Sequence, residues 1–388
     1  MQRRKTNRGK HRRPLRGDYD VLVCGASFGG LAVARELAGS GARVLLLDRY
    51  EIGERQTSAC AAPTEWLHAM GVEDSIRQTF GDLVIHTPHT TERMRLPWTF
   101  STFDYPTLCG RLYEQCDAGF ETATVIARVQ DDAPAEAGPD QPPGIVTDRG
   151  RLSAPLVVDA LGWRRVLDDT YQPPDAPLSR ALEVHPSGND RDLEIWIERG
   201  VVPAGYGWSF PAADELRVGV GSFDPHHRVK RPTVELAERL DLPSVRYQGN
   251  WIPHRLREAT SGEIFFVGDS AGHALPLTAE GIRTAFYFGI ACGRELDRVI
   301  RGRADRTTAL RRYAAFSARH RWQFDSMLRV QRLVPRIPPR LLSLGLRGMT
   351  ARAFVRWAFN HYLDIAHPAF ARGAPAQREA PARLRAAA

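Results

Sequence analysis

Two short apolar runs separated by a helical pattern stand near the start of the chain. Val21–Cys24 and Val44–Leu47 are each continuously apolar, as strands buried on both faces of a parallel sheet are. Between them, apolar residues recur at helical spacing over Leu31–Leu37. Continuous apolar runs return at Leu156–Val158 and Ile264–Val267. The pattern predicts a parallel sheet assembled from distant parts of the chain.

The middle of the chain changes to a period of two. Residues 193–200, 206–211 and 216–223 alternate between apolar and polar positions, as antiparallel strands do. Residues 82–103 have the same texture, so we expect them to join a second sheet. From residue 303 to 370 the apolar positions return to helical spacing, which predicts that this part of the chain is helical.

These patterns together predict the fold class and the order of domains. The expected fold is α/β (α+β, two domains): a Rossmann-like nucleotide-binding domain with an inserted antiparallel β-sheet substrate domain and a C-terminal helical region. At 388 residues the chain is long enough for two such domains. The predicted boundaries are 18–81, 104–175 and 256–300 for the nucleotide-binding domain, 82–103 and 176–255 for the substrate domain, 301–372 for the helical region, and 1–17 and 373–388 for disordered tails.

A glycine-rich turn joins the first predicted strand to the first helix. Gly25 allows a tight turn out of the strand, and Gly30 lets the helix lie close to the sheet. The N–H groups at the helix start, with the positive end of the helix dipole, suit a pyrophosphate. Ser27 stands where the usual fingerprint has its middle glycine, and Asp48 can accept a ribose hydroxyl. This unit predicts nucleotide binding without separating FAD from NAD.

Two more predicted strands deliver polar groups to the same edge of the sheet. The first ends in an acid followed by a glycine, and the second ends in Gly-Asp. Acids at the carboxyl ends of parallel strands are well placed to meet a ligand. A loop then leads to a helix whose first backbone N–H groups are unobstructed. The candidate cofactor-binding residues at these places are Asp159, Gly162, Gly268, Asp269, Pro276, Gly281 and Ile282.

The three motifs Gly25-x-Ser27-x-x-Gly30, Asp159-x-x-Gly162 and Gly268-Asp269 resemble those of FAD-dependent oxidoreductases of the p-hydroxybenzoate hydroxylase fold group. The resemblance implies that the first motif holds the ADP pyrophosphate and that the aspartate of the third meets the ribityl chain of FAD. It places the loop after the third motif at the flavin ring. The electron donor, NAD(P)H or ferredoxin, is not identified by the sequence.

Three further residues are candidate cofactor contacts. Arg49 directly follows Asp48, before a loop expected to lie over the cofactor, and Val125 lies in a short predicted strand. Arg111 lies on a helix predicted over 104–116. The sequence leaves two interpretations of Arg111 open, contact with a phosphate and plain exposure to solvent.

Within that fold group, the middle of the chain is similar to the geranylgeranyl reductase family. Gly205–Pro211, followed by Val218–Gly221, looks like the family's Tyr-x-Trp-x-Phe-Pro pocket motif, and Ser58–Ala62 falls where the family has a Cys-Gly-Gly segment. From the residues alone, the alternating rings are either core or a cavity wall, and Cys60 is a small buried filler. The resemblance implies catalytic roles for Cys60, Tyr206 and Trp208 and substrate binding by Phe210 and Pro211.

The expected activity is FAD-dependent reduction of carbon–carbon double bonds in an isoprenoid (prenyl) chain by hydride transfer from reduced flavin. The expected partner is a hydrophobic small molecule or prenyl lipid, and nucleic acid is not expected. Two alternatives are an FAD-dependent monooxygenase of an aromatic or polyketide-like small molecule and a non-catalytic flavin-binding protein. Halogenation depends on a lysine near the substrate and is disfavoured, because Lys230 is the only lysine outside the N-terminal segment.

Composition bears on compartment and charge. Hydrophobic content of 43% and charged content of 25% are typical of soluble globular proteins. Five cysteines without a Cys-x-x-Cys pair indicate a reducing, cytoplasmic setting and argue against disulfides or a metal site. The net charge of +8 equals the eight basic residues among the first 17, so the remainder is close to neutral.

The sequence leaves contact with a membrane open. No run of 18 apolar residues predicts a spanning helix, and no apolar stretch of an export signal follows the basic start. The C-terminal helices carry arginines beside apolar faces, which suits either attachment to an anionic membrane or a cap with its arginines outward. These arginines are Arg329, Arg332, Arg336, Arg340, Arg347, Arg352 and Arg356.

Overall fold

The computed structural model describes residues 13–56, 58–129, 142–168 and 177–372. The strands in these ranges are β1 (Val21–Cys24), β2 (Val44–Asp48), β3 (Ala61–Pro63), β4 (Ile76–Thr87), β5 (Thr90–Phe103), β6 (Ala118–Thr122), β7 (Val125–Arg128), β8 (Gly144–Thr147), β9 (Gly150–Ser153), β10 (Leu156–Asp159), β11 (Leu178–Val184), β12 (Leu193–Trp196), β13 (Gly205–Ala212), β14 (Glu215–Ser222), β15 (Gln248–Pro253), β16 (Thr260–Ser261) and β17 (Ile264–Phe266). The helices are α1 (Phe28–Glu36), α2 (Thr64–Ala69), α3 (Tyr105–Glu114), α4 (Lys230–Arg239), α5 (Ile282–Ile300), α6 (Arg306–Ala318), α7 (Arg321–Leu333), α8 (Pro339–Met349), α9 (Arg352–Asp364) and α10 (Ala369–Arg372). The predicted fold class is confirmed.

The nucleotide-binding domain is built on a six-stranded sheet in the order β16-β17-β10-β1-β2-β6. All neighbours are parallel except β16 and β17. Cys24 at the end of β1 lies between Asp159 of β10 and Leu47 of β2. The carboxyl ends of these strands therefore meet at one edge, where the predicted motifs begin.

Helix α1 lies against α5 through glycines. A Cβ on Gly289 would stand 2.8 Å from both the Ala32 Cβ and the Gly29 carbonyl oxygen. A Cβ on Gly293 would stand 2.6 Å from the Glu36 Cβ. Side chains at these positions would push the two helices apart and shift the turn that precedes α1.

The second sheet has the order β15-β11-β14-β13-β12-β4-β5-β3 and is antiparallel apart from β12 and β4. Helix α4 covers one face, where Val218 and Val220 pack with Leu236. The sheet also includes Ala61–Pro63 and starts β4 at Ile76, so the predicted boundary at residue 81 is corrected. Strands β4 and β3 pair with opposite sides of β5, so β3 becomes the edge strand of this sheet.

Residues 13–17 correct the predicted N-terminal boundary. The Leu15 N–H donates to the carbonyl of Arg149 at 2.8 Å, and the Leu15 side chain is buried in the core of the nucleotide-binding domain. Arg149 lies between β8 and β9 of a three-stranded sheet, β7-β8-β9. Burial of an apolar side chain fixes this segment. The rest of the predicted tails and most of the 131–143 linker lie outside the described residues.

The C-terminal helices pack on both domains. The fully buried Arg283 of α5 donates to the carbonyls of Tyr362 and Leu363 at 2.9 and 3.1 Å. Helices α8 and α9 pack on the β4–β5 hairpin through Leu346 and Val355. In the part of the chain that the structure describes, no helix has both the length and the apolar character needed to cross a bilayer.

Candidate active site

The glycine-rich turn has the geometry that the sequence predicts. Gly25 has a φ of +111°, and a Cβ there would lie 2.2 Å from the Ala160 carbonyl oxygen. A Cβ on Gly30 would lie 1.8 Å from the carbonyl oxygen of Gly25. Ser27 precedes α1 without capping it, so its side chain occupies none of the first-turn N–H groups. This helix start can accept a pyrophosphate.

A tyrosine that the sequence analysis missed lies beside this turn. The hydroxyl oxygens of Ser27 and Tyr105 are 3.0 Å apart. Burial raises the pKa of Tyr105, so its hydroxyl stays protonated at neutral pH. Asp104 caps α3 by accepting from the Thr107 N–H at 2.9 Å, which fixes Tyr105 as the first residue of that helix. In the sequence, Asp104 as a helix-capping residue was the signal that could have placed Tyr105 at the start of a helix.

Asp48 connects the end of β2 to the turn. Its Oδ2 accepts from the Ala26 N–H at 2.9 Å and its Oδ1 from the Tyr50 N–H at 3.0 Å. Burial raises the pKa of Asp48, and these bonds oppose the rise. Each oxygen retains a lone pair for a ribose hydroxyl. Arg49 is exposed over the Tyr50 ring, and Val125 is buried at the start of β7, so their cofactor roles stay predictions.

Arg111 lies on the outer side of α3. Its Nε is 2.5 Å from Asp74 and its Nη1 is 2.8 Å from Glu114. The buried side of the helix carries Leu108 and Cys109 instead. The structure favours exposure to solvent, because the guanidinium pairs with two carboxylates at the surface, and the phosphate contact stays a prediction.

Asp159 is fully buried and shapes the loop after β10. Its Oδ1 accepts from the Ser270 hydroxyl at 2.7 Å and the Leu161 N–H at 2.9 Å, and its Oδ2 from the Leu167 N–H at 2.9 Å. Burial raises the pKa of Asp159. Protein donors surround this carboxyl, so it positions the loop, and its direct contact with the cofactor stays a prediction. In the same loop Gly162 has a φ of +87° and open space beside its Cα.

Asp269 is the second residue of a short 3-10 turn that begins at Gly268 and follows β17. Burial raises the pKa of Asp269 to about 7, and no hydrogen bond from the described residues opposes the rise. Its Oδ1 is 3.6 Å from the place a Cβ on Gly281 would take, so it faces the start of α5. Asp269 is only partly covered by the protein, so its carboxyl is free to accept from a ribityl hydroxyl.

The loop that precedes α5 has a strained backbone. Leu277 and Ala279 have φ values of +68° and +53°, in the left-handed region that non-glycine residues rarely adopt. Cys60 shares this conformation, with a φ of +52°. Strain of this kind persists only where the surroundings hold it, and it clusters at functional sites.

Contacts from two directions hold this loop. The Tyr206 hydroxyl of β13 donates to the Thr278 carbonyl at 2.6 Å. The Tyr362 hydroxyl of α9 donates to the Thr278 Oγ1 at 2.9 Å, and the Leu277 N–H donates to Gln331 of α7 at 2.7 Å. The substrate sheet and the C-terminal helices therefore meet at the segment between Pro276 and Ile282.

Three aromatic rings share the face of β13 that α4 does not cover. The ring centroids of Tyr206 and Trp208 are 6.0 Å apart, and those of Trp208 and Phe210 are 6.5 Å apart. Gly219 lies opposite Trp208 on β14, and a Cβ there would come within 2.2 Å of the indole. Glycine in β14 thus makes the space for Trp208. Pro211, next on β13, points to the opposite face and is buried.

Cys60 is fully buried next to Arg217, which extends from this face of the sheet. The Nη1 of Arg217 donates to the carbonyls of Ala59 and Cys60 at 2.8 and 3.2 Å, and its Nη2 donates to that of Phe103 at 3.0 Å. Burial raises the pKa of the Cys60 thiol, and Arg217 offsets this only in part, so the thiol stays neutral. Arg217 holds the strained segment in place.

A buried polar network that the sequence analysis missed connects Trp208 with Arg217. Trp208 Nε1 donates to Glu183 Oε2 at 3.2 Å, and His185 lies 3.0 Å from Glu183 and 3.1 Å from Glu215. Arg217 Nε donates to Glu215 at 3.2 Å. Burial disfavours the charged forms of both His185 and Glu215. The acids Glu183 and Glu215 nevertheless raise the pKa of His185. In turn, His185 and Arg217 lower the pKa of Glu215 to about 2. The sequence signal for this network was the presence of charged residues at strand positions that point into the protein.

The residues fit FAD at three points. The start of α1 is open at Ser27, the Asp269 carboxyl lacks a protein donor among the described residues, and side chains at Gly25 or Gly30 would close the turn. The described residues contain no cluster of three or more side chains suited to a metal ion.

Comparison with known proteins agrees with this assignment. No protein-family model matches the chain. A digeranylgeranylglycerophospholipid reductase of Methanosphaera stadtmanae is 25% identical over 331 residues, 78% of this chain and 83% of that protein. A geranylgeranyl bacteriochlorophyll reductase-like structure from Thermoplasma acidophilum has a TM-score of 0.76 at 17% identity and covers 92% of this chain and 98% of its own. A probable FAD-dependent monooxygenase from Pseudomonas aeruginosa has a TM-score of 0.64 at 17% identity, with coverage of 86% and 100%.

These similarities confirm the resemblance seen in the sequence. The chain has the fold of the FAD-dependent oxidoreductases of the p-hydroxybenzoate hydroxylase group, and its sequence is similar to those of geranylgeranyl reductases. FAD is supported as the cofactor.

Proposed function

We propose that the protein reduces carbon–carbon double bonds of an isoprenoid chain. The observation that best supports this proposal is the aromatic face formed by Tyr206, Trp208 and Phe210. This face contacts the loop before α5, because the Tyr206 hydroxyl donates to the Thr278 carbonyl at 2.6 Å. An unactivated alkene offers little to polar groups, so its site must act by apolar contact and positioning. Relatives named for prenyl substrates favour this substrate class.

Bound FAD supplies the hydride in this proposal. The protein's part is to hold the cofactor: the turn at Gly25 binds the pyrophosphate, and Asp269 orients the ribityl chain. The residues that would hold FAD are Gly25, Ser27, Gly30, Asp48, Tyr105, Gly162, Gly268, Asp269, Pro276, Gly281 and Ile282. Whether NAD(P)H or ferredoxin reduces the flavin is decided by offering each to the loaded protein.

Cys60 holds the proton that reaches the second alkene carbon. Burial keeps its thiol neutral, and Arg217 fixes the backbone that carries it. Trp208, held through its Nε1 by Glu183 at 3.2 Å, offers a ring face that stabilises positive charge developing on the alkene. Hydride and proton together add two hydrogens to the double bond.

A shallow surface cleft lies at the start of β13, between the substrate sheet and the C-terminal helices. It includes Gly205, and its apolar lining is formed chiefly by Ile197, Val202, Pro203, Val334, Ile337 and Leu342. The partner that we propose, a prenyl lipid or other hydrophobic molecule, is supported by the names of the relatives.

Stopped-flow spectroscopy of the FAD-loaded protein tests the proposal. The flavin is reduced without oxygen and then mixed with a geranylgeranyl substrate or with oxygenated buffer. We expect the alkene to reoxidise the flavin, more slowly in Trp208→Leu. The matched control is Trp196→Leu, which removes an indole of similar burial from the opposite face of the sheet.

Two outcomes would contradict the reductase. Reoxidation by oxygen alone, with an oxygen atom transferred to an aromatic substrate, would establish the monooxygenase alternative, which the shared fold favours second. Bound flavin that no donor reduces would leave a binding protein without redox catalysis.

A further inference from the structure

Helices α7, α8 and α9 expose apolar side chains that the rest of the described structure does not cover. Of the eleven large apolar residues exposed in the described chain, eight lie on these helices. They are Trp322 (73% exposed), Val330 (44%), Leu333 (55%), Leu341 (58%), Leu344 (64%), Met349 (40%), Phe354 (39%) and Trp357 (58%). Exposed apolar side chains clustered in this way mark a surface that binds something.

Each helix buries one side and exposes the other. On α8, Leu346 packs into the cluster with Ile85 and Met94, while Leu341 and Leu344 project from the opposite side. Both α8 and α9 are supported by the same hairpin, β4–β5, so their outer sides turn away from it together.

The same arrangement recurs on α9. Val355 and Phe359 pack inward, and Phe354 and Trp357 lie outward with ring centroids 5.8 Å apart. On α7, Phe324 and Leu328 are buried, whereas Trp322 lies on the other side. The three outer sides, with the arginines among them, are called the arginine-rich face below.

The charge of this segment is mostly positive. Residues 321–364, from the first residue of α7 to the last of α9, contain eight arginines and two acids, Asp325 and Asp364. Of the eight, Arg321 pairs with Glu258 at 2.9 Å and Arg347 with Glu92 at 3.4 Å. Within the described chain the other six have no carboxylate within 4.0 Å: Arg329, Arg332, Arg336, Arg340, Arg352 and Arg356.

We infer that the arginine-rich face docks the protein on an anionic lipid bilayer. Exposed leucine and tryptophan side chains enter the interface of such a bilayer, and guanidinium groups pair with lipid phosphates. A second copy of the chain would bring the same positive charge against itself. Charge complementarity therefore selects an anionic partner, and the apolar side chains select a lipid one.

Co-sedimentation of the full chain with vesicles tests the inference without an activity readout. We expect binding to vesicles that contain phosphatidylglycerol, weaker binding to pure phosphatidylcholine, and a loss of binding as salt rises. The triple variant R340Q/R352Q/R356Q should bind roughly a hundred-fold more weakly, because each basic side chain near an anionic surface adds about five-fold. Leu344→Ser with Trp357→Ser should bind weakly even at low salt.

Matched controls distinguish an effect of this face from effects of overall charge and overall hydrophobicity. R151Q/R228Q/R303Q removes three exposed arginines from other surfaces, and Ile126→Ser removes an exposed apolar side chain elsewhere. Both controls should bind vesicles like the parent, and retained FAD shows that each variant is folded. Equal binding to both vesicle types would overturn the inference. So would absent binding together with a concentration-dependent dimer that Leu344→Ser dissociates.

Discussion

Asp269 is the residue whose protonation depends most directly on the cofactor. Its pKa is raised to about 7 by burial, against an ordinary value near 4. Between those values the unfolded chain is ionised while the cofactor-free fold keeps the proton. Its effect on stability is therefore a loss that develops as the pH rises from about 4 to about 7.

Asp269→Asn removes this titration and replaces the carboxylate that accepts from the ribityl chain with a neutral amide oxygen. Without FAD, the stability of the variant relative to the parent should be higher at pH 7.5 than at pH 5, measured by denaturant unfolding. FAD should bind roughly five-fold more weakly, because a hydrogen bond to a neutral acceptor is weaker than one to a charged acceptor by about 1 kcal/mol. Asp364→Asn, at an exposed acid, is the control. An equal stability difference at both pH values would disprove the role.

Cys60 has two separable properties, a neutral buried thiol and a left-handed backbone. Cys60→Ala keeps the backbone and removes the proton, so alkene reduction should slow at least tenfold while FAD binding and flavin reduction persist. Cys60→Ser, which keeps an O–H donor, should lie between Cys60→Ala and the parent. Cys292→Ala, at a fully buried cysteine of α5, should leave the rate unchanged. If Cys60→Ala turns over normally, the thiol carries no proton in the reaction.

The outcomes at single residues follow from what sequence spacing can specify. The roles of Gly25 and Gly30 in the turn were predictable from the sequence, because backbone geometry is local. A side chain at either position would collide with a nearby backbone carbonyl. The direction of Arg111 stayed open because its partners, Asp74 and Glu114, decide it and are recognised only in the folded chain. Arg217 was missed because its acceptors lie more than a hundred residues away in sequence.

Packing of α1 against α5 is the feature that ties the nucleotide turn to the rest of the fold. Gly289→Ala should cost about 1–3 kcal/mol of unfolding free energy through overpacking against Ala32 and Gly29, and should weaken FAD binding by displacing α1. Denaturant unfolding and FAD titration measure both effects. Gly345→Ala on α8 meets open space and should stabilise by roughly 0.5–1 kcal/mol. A neutral Gly289→Ala would mean that the helices can separate without cost.

The strands and helices themselves were largely predictable, since apolar period identifies them. Their assignment to sheets was less so. β3 spans only Ala61–Pro63 and carries no alternating pattern long enough to recognise, yet it completes the eight-stranded sheet. Pairing of such a strand is decided by its partner β5, so it appears only in the folded chain.

The net charge of the molecule does not show how its charges are distributed over the surface. The net charge of +8 equals the basic excess of the first 17 residues, so the remainder appears neutral. The fold nevertheless gathers eight arginines and two acids on helices α7 to α9, between residues 321 and 364, while acids elsewhere balance the count. Sequence analysis identified the arginines, and only the packing of α8 and α9 showed which of their sides is exposed.

Mass spectrometry of the substrate tests the central claim most directly. The FAD-loaded protein, reduced without oxygen, is incubated with prenyl diphosphates, prenyl lipids and menaquinones. Our account predicts a gain of two hydrogens per reduced double bond in a prenyl chain, a gain that Trp208→Leu reduces and Trp196→Leu does not. Reoxidised flavin with no hydrogen gained by any prenyl chain would contradict it.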